Sequence, residues 1–139
     1  MSKGQLTGMR GVYLVAAELS RLGLIASPTS RGAMGADILV TDQACTRSFS
    51  VQVKTNARTF GFFLLNERAK EIVSPTHVYV LVNLRSAKGV DATEFFVVPS
   101  RVVAEKMKLF AAKTGSKWWA LSRKDVLPYK DNWHIFEAA

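Results

Sequence analysis

GADILV, residues 35–40, and FSVQVKT, residues 49–55, carry most of the information about how this chain folds. Both are short and rich in β-branched residues. The polar, turn-forming segment TDQACTRS lies between them, so we predict a β-hairpin. Gln52 and Lys54 belong to the second stretch. Because successive side chains of a strand point to opposite faces, these two point the same way.

The register of the hairpin determines whether Asp37 joins Gln52 and Lys54. Directly opposed residues of an antiparallel pair share a face, and a slip of one residue inverts the whole set. We predict the register in which Asp37 faces Gln52 or Lys54. The same register gathers the apolar residues on the other side of the sheet, which makes one dry face and leaves one polar site. These apolar residues are Ile38, Val40, Val51 and Val53.

The polar cluster suits metal-assisted hydrolysis of a phosphodiester. Mg²⁺ takes oxygen ligands, typically one or two carboxylates with several waters retained. The Asp37 carboxylate, the side-chain oxygen of Gln52 and the backbone carbonyl of Val53 would form a partial shell. The Lys54 ammonium would either lower the pKa of an attacking water or stabilise charge that develops on the phosphate, and the sequence leaves both roles open.

These residues resemble the PD-(D/E)XK nuclease superfamily. In that superfamily a helix with a glutamate precedes a hairpin that carries Asp on one strand and (Glu/Asp/Gln)-X-Lys on the next. Glu18, Asp37 and the pair Gln52 and Lys54 follow this order. The chain looks most similar to small endonuclease-like proteins with a VQVKT-type strand, and more distantly to Holliday-junction resolvases. It departs in having Ala36 before Asp37 instead of Pro, and a neutral Gln52, which lowers the negative charge of the site.

The resemblance implies a metal-dependent DNA endonuclease that uses Mg²⁺ or Mn²⁺. Asp37 would be the principal metal ligand, Glu18 and Gln52 would complete the site, and Lys54 would assist catalysis. We predict a helix over residues 8–22 that ends before Gly23, with Glu18 near the edge of its apolar face. A solvated surface glutamate is the alternative for Glu18, since such residues are mostly exposed.

The expected fold is an α/β, restriction-endonuclease-like fold with a mixed central sheet flanked by helices, in the order αβββαβ and extended by one further strand. VYVLVNL, residues 78–84, and EFFVVP, residues 94–99, are the strands that we expect to extend the hairpin's sheet. We predict that Asn66 caps a short helix before them, and that Ser100 caps a basic-faced helix that continues to about Ala112.

Charge favours a nucleic-acid partner. The 139 residues form one predicted domain, 1–139, with a net charge of +8 and a pI near 9.9. Charge alone would fit RNA or a membrane surface equally well. With the motif we expect DNA, including branched DNA, without excluding RNA as substrate. Contacts to its backbone would come from Ser30 and Arg31 in the loop before Asp37 and from Arg101 and Lys108 in the later helix.

Two further expectations concern the setting and the assembly. Cys45 is the single cysteine, so the monomer has no disulfide framework and no cysteine-based zinc site. No signal peptide or membrane-spanning run is evident, and we predict a cytoplasmic protein that does not enter membranes. Cutting both DNA strands requires two sites, so we expect a homodimer.

Two alternatives stay open at the level of sequence. One is a nucleic-acid-binding module or accessory subunit that keeps the nuclease fold without catalysis, which Ala36 and Gln52 would permit. The other concerns Trp118 and Trp119, which would either pack in the core or stack on unpaired bases.

Overall fold

The computed structural model describes residues 2–30 and 35–137, and its first element is the helix α1, Lys3–Arg21. Ser2 and Gln5 form a reciprocal capping box at its start, which moves the helix start ahead of the predicted Gly8. Gly23 follows the helix with φ +83°, a left-handed conformation that glycine adopts without strain, so the predicted end is confirmed.

The described residues form ten strands. In chain order they are β1 Ile25–Pro28, β2 Ile38–Thr41, β3 Ser48–Asn56, β4 Phe62–Leu65, β5 His77–Asn83, β6 Ser86–Ala87, β7 Val90–Asp91, β8 Glu94–Pro99, β9 Lys108–Ala111 and β10 Lys117–Ser122. The central sheet has the order β1-β2-β3-β5-β8. Its β3–β5 pair is parallel and its other pairs are antiparallel, so the predicted mixed sheet is confirmed.

The predicted register of the β2–β3 hairpin is also confirmed. Ile38 lies opposite Val51 and Val40 lies opposite Phe49, which places Asp37 on the Gln52 side of the pair. The apolar residues of this register form a buried face against α1, as alternation requires. In the turn, the Asp42 carboxylate accepts hydrogen bonds from Thr46 and Arg47. These bonds lower the pKa of Asp42 to about 2, and the hydrogen bond from the Thr46 side chain contributes most.

Two apolar layers enclose the central sheet. On one side lie α1 and a C-terminal 3-10 helix, Trp133–Phe136, and on the other lie α2, Ser100–Lys106, and a second sheet of order β4-β10-β9. Every residue of β5 is buried, as its continuous apolar sequence predicts. The connection from β3 to the parallel β5 consists of β4 and a 3-10 helix, Glu67–Lys70, and this short helix begins with the predicted Asn66 cap.

The helix predicted from Ser100 to Ala112 is wrong in its second half. α2 ends at Lys106, Met107 is extended with ψ 143°, and Lys108 begins the strand β9. Pairing of β9 with β10 overrides the helical periodicity of these residues, because the turn before Lys117 brings the two segments together. Ser100 is not a cap either, since its buried hydroxyl donates to the Ser74 carbonyl.

The α/β architecture and the helices that flank the sheet agree with the sequence prediction, whereas the second sheet was not predicted. Within residues 2–30 and 35–137, no helix is both long enough and apolar enough to cross a membrane.

Candidate active site

Asp37 lies directly before β2, at the N-terminal end of that strand. Its backbone N–H donates to the Val51 carbonyl at 2.8 Å, which continues the ladder by one bond. Its carboxylate oxygen Oδ2 accepts from the Val53 backbone N–H at 2.7 Å and from the Gln52 amide Nε2 at 3.1 Å. The structure therefore brings together three of the residues that the sequence nominated, with the Gln52 amide nitrogen and the Val53 N–H, rather than the predicted oxygens, turned to Asp37.

The difference in strand length explains why Asp37 takes this position. β2 pairs with β3 only as far as Val51, and β3 continues to Asn56 without a partner on that side. The N–H and C=O groups of one strand residue point to the same side, so those of Val53 face the open edge. The Asp37 carboxylate satisfies that N–H, and the Val53 carbonyl is directed to the same edge.

A cavity of about 460 Å³ opens beside this edge. Asp37, Gln52 and Val53 line it from the sheet, and the segment after β1 contributes Thr29 and Ser30. The first half of α1 forms the opposite wall, with side chains that include no carboxylate: Gln5, Gly8, Met9, Val12 and Tyr13. The cavity is large enough for a nucleotide-sized ligand.

Gly11 allows α1 to approach the sheet closely enough to form this wall. A Cβ atom at Gly11 would lie 1.8 Å from Oγ1 of Thr55, on β3, which no side chain tolerates. Gly8, one turn earlier, has open space around it. The close approach therefore depends on one glycine of the helix, and the geometry of the cavity depends on that approach.

Lys54 lies in a second cavity of about 220 Å³ on the same face of β3 as Gln52. Gln52 lines both cavities and therefore stands between the Asp37 carboxylate and Lys54. Asn66, Arg68 and Tyr79 also line the second cavity. Lys54 makes no hydrogen bond or ion pair with the part of the chain that the structure describes, which leaves its ammonium available to an external anion.

Glu18 does not join the other predicted site residues. It lies on the second half of α1, where its carboxylate pairs with Arg21 at 2.8 Å, and it lines neither cavity. The helix residues that do face Asp37 lie at least five positions earlier, from Gln5 to Tyr13. The apolar periodicity of α1 did not reveal which turn of the helix crosses the end of β2.

The predicted nucleic-acid contacts lie in different places. Ser30 is exposed at the rim of the larger cavity, and Arg31 lies outside the described residues. Arg101 is exposed in α2, and Lys108 is exposed in the strand β9 rather than on the helix face where we expected it.

The oxygen atoms of the site fit one divalent cation that takes only a few of its ligands from the protein and the others from water. Oδ1 of Asp37 accepts no hydrogen bond from residues 2–30 and 35–137, and the Val53 carbonyl faces the same edge. The Gln52 amide can present its oxygen instead of its nitrogen by a half turn that leaves its shape unchanged. The described residues contain no group of three His, Cys, Asp or Glu side chains that could hold a metal, and Asp37 is the one acidic residue among those that line the cavity.

A second carboxylate of the central sheet, that of Glu94, was not singled out from the sequence. It is only 6% exposed and receives Arg123 at 2.5 Å and 3.0 Å, Arg85 at 3.4 Å and Asn83 at 3.2 Å. The Arg123 hydrogen bond, more than any other contact, lowers the pKa of Glu94 to about 2. Its partners come from separate parts of the chain, so no local sequence signal could have identified it.

The fold is shared with two solved nuclease structures, whereas no family model and no curated protein sequence matches the chain. The Holliday junction resolvase Hjc of Archaeoglobus fulgidus, an archaeal hyperthermophile, is similar with a TM-score of 0.55 over 88% of this chain and 93% of that chain. The bacterial homing endonuclease I-Ssp6803I is similar with a TM-score of 0.58 over 99% of this chain and 94% of that chain. The sequence identity is 16% in both cases. The expected likeness to Holliday-junction resolvases and other endonucleases is thus confirmed for the fold alone.

Proposed function

We propose that the protein is a metal-dependent DNA endonuclease whose site is formed by Asp37, Gln52, Val53 and Lys54. The observation that carries this proposal is the contact of the Asp37 carboxylate with Gln52 and Val53 beside an open cavity. The nuclease fold of the two structural neighbours supports it, as does the net charge of +8.

Each residue of the proposed site has a distinct task. Asp37, the Gln52 amide oxygen and the Val53 carbonyl would hold Mg²⁺ or Mn²⁺. The cation, when bound, supplies Lewis-acid stabilisation and lowers the pKa of a nucleophilic water. Lys54, on the other side of Gln52, stabilises negative charge that develops on the phosphate.

DNA is the proposed substrate, and sequence-independent contacts would position it. Ser30, which lines the cavity, would contact a phosphate of the strand being cut, and the exposed Arg101 and Lys108 would hold the duplex beyond it. A homodimer would supply the second site that cleavage of both strands requires.

A nicking assay tests the proposal. We expect the purified protein to convert supercoiled plasmid or a branched DNA to nicked product with Mg²⁺ or Mn²⁺, and to give none in EDTA. Asp37→Asn and Lys54→Ala should each reduce the rate by roughly 100-fold or more. Lys88→Asn, a loss of charge in an exposed turn with φ +51°, should cut like the parent protein. Nicking that persists in Asp37→Asn would refute the proposal.

A second function is favoured by one observation, the single carboxylate at the site. With Asp37 as the one acidic residue among the described residues that line the cavity, the chain would serve as a DNA-binding module that kept the fold without catalysis. DNA binding without metal, together with the absence of nicking at millimolar Mn²⁺, would establish this alternative.

A further inference from the structure

The outer face of the second sheet carries large apolar side chains that nothing in the described chain covers. Alternation along β4, β9 and β10 directs four of them away from the core, and we call Phe62, Leu64, Phe110 and Trp118 the outer aromatic face. They are 38%, 57%, 38% and 37% exposed, in that order. Contiguous exposed apolar groups of this kind mark interaction surfaces.

The rings of Phe110 and Trp118 form the centre of this face. The two residues are directly opposed across β9 and β10, with ring centroids 6.2 Å apart and planes inclined by only 16°. Trp119 points the other way, where it is half-buried and Lys70 lies 4.4 Å from its ring centre. Of the two tryptophans, Trp119 therefore packs against the protein and Trp118 faces solvent.

Positive charge lies beside the outer aromatic face. From Lys106 to Lys124 the chain contains six Lys and Arg residues and no Asp or Glu, of which Arg123 pairs with Glu94 and Lys117 lies on the other face of the sheet. Lys108 lies opposite Ala120 and so projects from the outer face itself, beside Phe110. A second copy of the chain docked through this face would bring like charges together, whereas a polyanion with flat apolar groups would satisfy both features.

We propose that the outer aromatic face binds an unpaired DNA strand. Bases stack on the rings of Trp118 and Phe110, and Lys108 contacts the phosphates that link them. The choice of DNA rests on the proposed function, but the binding itself needs neither Asp37 nor a divalent ion. A duplex cannot present its base faces to the rings and binds through charge alone.

The test measures fluorescence anisotropy of a labelled dT oligonucleotide in EDTA, with Asp37→Asn as the parent protein so that no cleavage occurs. Trp118→Ala should weaken binding by about tenfold or more, and Trp118→Phe should bind nearly as tightly as the parent. Lys108→Ala should reduce the slope of log affinity against log salt by about one, and Lys88→Asn should leave it unchanged.

Two results would overturn the proposal. One is an equal loss of affinity for the dT strand and for a duplex of the same length in Trp118→Ala. The other is a folded Trp118→Ala variant, checked by circular dichroism, that binds the strand as the parent does. If Trp118→Ala does not fold, Trp118→Ser and Phe110→Ala take the same test. Loss of nicking in Asp37→Asn with retained dT binding separates this inference from the proposed function.

Discussion

Asp37 and Glu94 are two carboxylates at the ends of strands in one sheet, and their surroundings differ in charge. Glu94 is buried, accepts hydrogen bonds from two arginines and has Lys130 at 3.6 Å, and these cationic partners reach it from partly exposed positions. Asp37 accepts only from neutral donors, a backbone N–H and an amide, and pairs with no cation among the described residues.

The difference separates a structural carboxylate from an available one. The charge of Glu94 is already neutralised, and the bonds connect β8 to the segment that follows the second sheet. The charge of Asp37 borders a cavity and is held in place without being neutralised. A cation from solution would therefore gain more at Asp37, although Glu94 has more partners.

Removing the charge of Glu94 should reduce the stability of the protein much more than removing the charge of Asp37. We expect Glu94→Gln to lower the free energy of unfolding by about 2 kcal/mol, because the buried side chain would lose its charge-assisted hydrogen bonds to the partly exposed Arg123. Asp37→Asn should change it by less than about 1 kcal/mol, since the asparagine oxygen still accepts from Val53. Urea unfolding of both variants measures the two values. Equal losses would contradict the distinction.

Acid should remove the contribution of Glu94. Its folded pKa of about 2 lies below the ordinary value of 4.5, so its stabilisation is complete above pH 4.5 and is lost as the pH falls toward 2. The difference in unfolding free energy between the parent protein and Glu94→Gln should narrow by roughly 2 kcal/mol over this range, with allowance for screening of the more exposed Arg85 and Lys130. A difference that does not change with pH would show that the ion pair is not its source.

The wall of the Asp37 cavity can be disturbed through Gly11. Gly11→Ala should destabilise the protein by roughly 1 to 3 kcal/mol, because the new methyl group would collide with Thr55 and push α1 from β3. Gly8→Ala is the matched control in the same helix, and its open surroundings predict a gain of about 0.5 to 1 kcal/mol from helix propensity. Thermal unfolding of both variants gives the comparison, which fails if the two shifts have the same sign.

A second carboxylate should sharpen the difference between the two regions. Val12 lines the Asp37 cavity from α1, so Val12→Glu places another acid opposite Asp37. We expect about tenfold tighter Mn²⁺ binding, or about 1.4 kcal/mol, seen as a larger rise in melting temperature with added Mn²⁺. Val12→Gln adds the same volume without charge and should respond like the parent. An identical response of the Glu and Gln variants would place the cation elsewhere.

The hairpin and its polar site followed from local pattern. Alternation along residues 49–55 and the turn before them predicted the register, and Asp37 does meet Gln52 and Val53. Glu18 was predicted at the site because its position on the helix face was compatible. Only the docking of α1 through Gly11 shows that an earlier turn faces Asp37.

The residues after Lys106 show the opposite case. Their helical spacing was genuine but weak, and strand pairing of β9 with β10 replaced it. The same pairing directs Trp118 outward and Trp119 inward, which a sequence of two adjacent tryptophans does not reveal. Both outcomes depend on the pairing of β9 with β10 and on which face of that sheet packs against the core.

Local pattern was sufficient to predict the hairpin register and the polar residues on it, because strand alternation and turn chemistry act over a few residues, whereas the mixed sheet was expected from the motif resemblance. Which carboxylate is neutralised, which turn of α1 forms the cavity and which tryptophan meets solvent became clear only in the folded molecule. Those outcomes depend on contacts between segments distant in sequence, where packing and charge pairing override local preference.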